Sequence, residues 1–228
     1  DRAQSDVTER NPEDVQMQTM TVGPHKNCVV LKSGDFTLAV TTRVGPRVIG
    51  GFIQGSANIF AVTPVDPPTT PATGFRLYGG HRLWHAPEAM PRTYAPDNDP
   101  IQVAETPDGV AFVQAVEAGA GIEKSIVIQP LGTERFRVTH RLTNRNLWTV
   151  TLAPWALSVM APGGVGIIPQ HHQPGADPFA VDRTIALWPY TRCHDPRLGF
   201  GADYLLVHQD PNATGPCKIG YNAEPGWI

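Results

Sequence analysis

An all-β fold is the reading that three features of the sequence support. Proline makes up 23 of 228 residues, about double its usual share, so long helices are disfavoured. The 22 glycines add the turn chemistry that many short strands need. Apolar and polar residues alternate with period two over several segments, and no stretch carries a 3.6-residue apolar stripe of useful length. The expected architecture is a large, mostly antiparallel sandwich with at most about a tenth of its residues helical.

Taken in order, residues 1–24 form a polar arm that ends in Gly-Pro and has no apolar signal-sequence core. It is expected to be extended or disordered unless it pairs with a sheet edge. The first residue is Asp rather than Met, which suggests a processed or trimmed chain. CVVLK from Cys28, DFTLAVTTR from Asp35 and PRVIGGFIQ from Pro46 are β-branched runs separated by Ser-Gly-Asp and Gly-Pro, the punctuation of a meander. A second cluster comprises GVAFVQAVEA from Gly109, IEKSIVIQ from Ile122 and ERFRVTHRLTN from Glu134. Phe136, Val138 and His140 fall on one face of the last of these, with Arg137, Thr139 and Arg141 on the other. Further strands are expected in LWTVTLAPWALSVM and near residues 184–188, 203–208 and 218–221. Between Val62 and Pro100 stand eight prolines in 39 residues and no strand-like run. So long a structureless loop in a compact domain is usually functional.

With 18 basic and 21 acidic residues the formal charge is −3, so no broad cationic field exists for a nucleic acid. Asn146 to Ala176 contains no charged residue, yet Pro154, Pro162, Gly163, Gly164 and Gly166 interrupt it, which fits a buried strand and a site-lining loop rather than a membrane span. Cys28, Cys193 and Cys217 show no C-x-x-C spacing, which excludes the common zinc, haem and thioredoxin motifs. At most one disulfide remains, for which Cys193 and Cys217 are candidates, and structural thiols are the plainer reading. Asp195-Pro196-Arg197 reads as a turn with a local ion pair, and Asn212-Ala213-Thr214 is a glycosylation sequon that has meaning only in a eukaryotic host.

Inside the proline-rich stretch lies YGGHRLWHAPE, Tyr78 to Glu88. The Gly79-Gly80 pair permits close backbone approach. His81, Arg82, Trp84, His85 and Glu88 supply a titratable ring, a fork donor, an aromatic platform and a carboxylate. Sugars offer apolar C–H faces that stack on aromatic rings and hydroxyls that need bidentate polar partners, so this is the inventory of a carbohydrate site. His81 and His85 have zinc-like spacing only on a helix, which Pro87 and the glycine pair oppose, and no metal or other cofactor is expected.

GPRVIG at Gly45–Gly50, N-I-F at Asn58–Phe60, YGGHRLWHAPE, APWALSVMAPGGVGIIPQ and LWPYTRCHDPR resemble, in that order, the DUF4380 family of the galactose mutarotase-like (aldose 1-epimerase-like) superfamily. The resemblance runs from about Val29 to Trp227 and implies one β-supersandwich domain over residues 25–228 with a carbohydrate cleft on a concave sheet face. It places Arg47, His81, Trp84 and Glu88 at or near that cleft, with Trp155, His171 and Trp188 contributed by the later motifs, and Arg82, the motif's fork donor, completes the candidate binding set. Epimerases of the superfamily use a His acid and a carboxylate base, roles that would fall here to His81 and Glu88. They take the base from a strand near the C-terminus, whereas this chain stops at GYNAEPGWI, so the resemblance also implies that the last strands are missing.

The leading expectation is therefore carbohydrate recognition without turnover, in a periplasmic or extracellular setting. An aldose 1-epimerase-type isomerase is the enzymatic alternative. A structural alternative has the N-terminal arm adding a strand to the open sheet edge of a second copy, giving a homo-oligomer.

Overall fold

The computed structural model describes residues 17–64, 69–107, 109–170, 177, 179–181 and 183–221. The chain divides into two compact units, one reaching Val159 and the other starting at Met160. This differs from the single domain expected from residue 25 onward. The fold is all-β with antiparallel sheets, and the helical structure among the described residues is a single 3-10 turn at Arg92–Tyr94. No helix among the described residues is long and apolar enough to cross a membrane.

The first unit contains β1 (Thr19–Val22), β2 (His25–Ser33), β3 (Phe36–Val40), β4 (Val48–Ile53), β5 (Thr69–Thr70), β6 (Phe75–Arg76), β7 (Gly80–Ala86), β8 (Gln102–Thr106), β9 (Gly109–Val113), β10 (Ile122–Gly132), β11 (Arg135–Asn144) and β12 (Ala153–Val159). A six-stranded sheet has the order β1-β2-β3-β4-β7-β12, and a four-stranded sheet has the order β11-β10-β9-β8. Their inner faces share one core. Val29, Leu31, Leu38, Val40, Val48 and Leu83 from the larger sheet are clustered with Phe112, Ile126 and Ile128 from the smaller one. These are the alternate positions of β2, β3, β7 and β10, which is why a period-two pattern suffices to build a sandwich. Phe136, Val138 and Leu142 of β11 pack against the same core, as the alternation predicts.

The arm takes the sheet-edge alternative, and one expectation about the chain is corrected. The end of the N-terminal arm is ordered: β1 pairs antiparallel with β2, Thr19 opposite Val29 and Met20 opposite Cys28, and so occupies the edge of its own sheet. Residues 19–22 are thus paired within the chain, and residues 1–16 lie outside the described residues. The supposed structureless loop contains β7, a strand flanked on both sides by β4 and β12. Its burial runs through both faces, so the apolar/polar alternation that marks a half-exposed strand is absent from GHRLWHA.

Close backbone approach explains the glycine pair that starts β7. Gly79 has φ +89° and Gly80 φ +68°, and a Cβ on them would lie 2.1 Å from the Ala61 carbonyl oxygen and 2.4 Å from that of Val48. Asn58 ties the neighbouring connection to β4: its Oδ1 accepts from the amides of Gly51 at 2.9 Å and Phe60 at 3.1 Å, while its Nδ2 donates to the Ile49 carbonyl at 2.9 Å.

The second unit contains β13 (Val165–Pro169), β14 (Ile185–Leu187), β15 (Leu198–Phe200), β16 (Tyr204–His208) and β17 (Ile219–Tyr221), arranged as a β13-β16-β15 sheet and a β14-β17 pair. Arg197 donates to both carboxylate oxygens of Asp195, at 2.9 and 2.8 Å, which is the local ion pair read from the sequence. These bonds hold the Asp195 carboxyl well below the usual carboxylate range. All three cysteines are free thiols.

Candidate functional site

Strand alternation sorts the motif on β7 into two sets. His81, Leu83 and His85 face the core between the sheets, whereas Arg82 and Trp84 face outward, and β12 sets Trp155 directly opposite Trp84 and Leu157 opposite Arg82.

On the outer side four aromatic rings meet edge to face. Trp84 lies 5.4 Å from Trp155, 5.0 Å from Tyr94 and 5.5 Å from Phe75, centroid to centroid. Trp155 and Tyr94 are half-buried, but Trp84 is only 8% exposed, so it backs the cluster rather than presenting a platform as expected. The Arg82 guanidinium carbon sits 3.7 Å from the Trp84 centroid and 4.4 Å from that of Phe75, a pair of cation–π contacts. Arg47, fully buried where the chain enters β4, reaches the same region. Its Nη2 donates to Asp97 at 2.6 and 2.7 Å, and its guanidinium lies 5.0 Å from the Tyr78 ring. Burial and, after it, the Arg47 charge pull the Arg82 pKa down to about 9, with Asp97 and Tyr94 opposing them. Glu88 stands exposed at the rim and accepts a short hydrogen bond from Tyr94 Oη, which pushes the Tyr94 pKa up. Tyr78 Oη donates to Asn98 Oδ1 at 3.0 Å and fastens the overlying segment.

The inner side carries different chemistry. His85 is fully buried, with Nδ1 2.6 Å from Arg92 Nη1 and Nε2 3.3 Å from Glu117. Arginine can only donate, so Nδ1 accepts and Nε2 carries the proton toward Glu117. Lys124 Nζ lies 2.5 Å from the other Glu117 oxygen. Burial raises the Glu117 pKa, but the His85 hydrogen bond and the Lys124 charge outweigh it and leave the carboxyl lowered. His85, Arg92, Glu117 and Lys124 thus form one buried network. His81 Nε2 lies 2.7 Å from His140 Nε2 on β11, and its Nδ1 lies 2.8 Å from Ser158 Oγ. It borders an apolar cleft of about 220 Å³ lined by Phe36, Leu38, Val48, Phe60, Phe136 and Val138. Burial and the neighbouring His140 lower its pKa to about 4.

The structure therefore brings together Arg47, Arg82, Trp84, Glu88 and Trp155, and corrects the expectation that His81 shares their surface: one residue of offset along a strand reverses the face. Trp188 belongs to the second unit, where the Lys218 ammonium lies 4.2 Å from its ring centroid. His171 lies outside the described residues. Sequence reasoning missed Phe75, Tyr94 and Asp97, whose only signal was two aromatic rings and an acidic run inside a proline-rich stretch. It also missed the Glu117–Lys124 pair, although Lys124 stands in the buried phase of Ile122, Ile126 and Ile128.

Among the described residues no group of three or more His, Cys, Asp or Glu side chains could hold a metal ion. No family model, no curated protein and no solved structure matches the chain.

Proposed function

We propose that the first unit recognises carbohydrate on the outer face of β7 and β12 and does so without turnover. The carrying observation is the cluster of Trp155, Tyr94, Trp84 and Phe75 with two guanidiniums set among the rings and a carboxylate at the rim. Half-buried Trp155 and Tyr94 offer ring surface for the C–H face of a pyranose, and Arg82 and Glu88 offer a donor and an acceptor for its substituents. Mutarotation needs an acid at the ring oxygen and a base at the anomeric hydroxyl of one bound sugar. His81, the acid that the resemblance nominates, lies on the inner face of β7, while Glu88 is tied to Tyr94 on the outer side. That separation favours binding over the epimerase alternative.

A glycan array probed with the wild-type chain and with Trp155→Ala tests the reading. Binding that falls by about 1–3 kcal/mol in Trp155→Ala, with the melting temperature held, is expected. Binding that is indifferent to Trp155 would remove the outer face as its seat.

A further inference from the structure

Arg82 is 5% exposed, and its Nη1 is sealed from solvent without a hydrogen-bond partner. Of the buried cations among the described residues, Arg47 has Asp97 and Lys124 has Glu117, but no carboxylate meets Arg82. A buried, unmatched charge is costly and persists where something compensates it. Contacts with Trp84 and Phe75 lie against the guanidinium and Nη1 is sealed, which leaves the Nε–Nη2 edge as the side a ligand would meet. That edge matches a carboxylate, which is planar and takes two parallel hydrogen bonds.

The charge count narrows the ligand further. Arg47 and Asp97 cancel, so Arg82 is the buried cation left unmatched, and Glu88 sets a negative charge at the rim. A single unmatched buried guanidinium suits a monoanion, and the carboxylate at the rim disfavours a phosphate dianion. We infer that the outer-face site takes a sugar bearing a carboxylate, a uronate, with the carboxylate on Arg82 and the ring over Trp155. This rests on the carbohydrate reading above and names the substrate class within it.

Isothermal titration of the full chain with oligogalacturonate, oligoglucuronate and oligomannuronate, each beside its carboxyl-reduced neutral counterpart, tests it without any variant. At least one acidic oligosaccharide should bind about tenfold or more tightly than its neutral partner, the scale of a charge-assisted hydrogen bond. Arg82→Gln should abolish that preference while residual neutral binding persists. Arg82→Lys, which keeps the charge but not the fork, should retain only part of it. Equal affinity for acidic and neutral members, or a preference that survives in a folded Arg82→Gln chain, overturns the uronate assignment and leaves carbohydrate binding standing. Tighter binding of hexose 6-phosphates than of uronates overturns the choice of a monoanion. Binding of a simple hydroxy acid such as lactate with no sugar preference upholds Arg82 as a carboxylate site and sinks the carbohydrate reading. Absence of binding by all of these probes defeats both.

Discussion

Acidification should loosen the sandwich through the His81–His140 pair. With their Nε2 atoms 2.7 Å apart, one ring donates and the other accepts, so the pair holds a single proton between those nitrogens. Among the described residues, Ser158 from β12, His140 from β11 and the apolar lining of the cleft face His81, and none of them is a carboxylate that would reward a positive ring. Burial also lowers the His140 pKa, so both imidazoles resist protonation in the folded state. The sign follows from linkage. Above the ordinary 6.5 both folded and unfolded chains carry neutral His81, and stability is unaffected; as pH falls from 6.5 to about 4 the unfolded chain binds the proton first and the folded state loses ground. Full burial would make that loss about 3 kcal/mol, and the ring's partial exposure reduces it to about 2 kcal/mol. Scanning calorimetry at pH 7 and pH 4.5 on wild type and His81→Gln isolates the effect, because other acid-sensitive groups such as Glu117 cancel in the difference. Wild type should lose about 2 kcal/mol more than the variant, a relative shift of about 4–8 °C in the transition to which His81 contributes. Parallel losses in the two chains, or a wild type that gains stability in acid, would refute the reasoning.

Three further outcomes follow from the packing. Lys124→Met leaves Glu117 buried with one hydrogen-bond partner and should cost about 3–5 kcal/mol in chemical denaturation, whereas the double variant Lys124→Met with Glu117→Leu should recover most of it. Gly80→Ala places a Cβ 2.4 Å from the Val48 carbonyl at φ +68° and should cost upward of about 3 kcal/mol, seen as a lowered urea midpoint or an insoluble chain. Asp97→Asn keeps the shape but removes the charge that matches Arg47, and should destabilise by about 2–3 kcal/mol; an unchanged midpoint would show that Arg47 is compensated otherwise.

The sequence was legible where one face of a strand is buried and the other is not. Along β11, Phe136, Val138 and His140 turn inward and the arginines turn out, so alternation alone placed them. It failed on β7 because both faces are packed: His81, Leu83 and His85 look into the core, and Arg82 and Trp84 are covered by Phe75, Tyr94 and Trp155. A motif read as a loop inventory thereby became two sites on opposite faces. Arg47 and Trp84 could be drawn together from the sequence only through the resemblance, since 37 positions separate them and local pattern carries no information over that range. The charge balance around Arg82 was not legible at all. It depends on Asp97 choosing Arg47, a matter of three-dimensional reach.

The central claim, that sugar docks on the outer face of β7 and β12, is tested most directly by following the indole N–H signals of the five tryptophans by NMR while titrating the tightest-binding array oligosaccharide. The Trp155 indole should shift most and Trp84 should shift with it, with Trp148 and Trp188 unmoved. A titration that moves Trp188 alone, or saturates binding without disturbing Trp155, would contradict it.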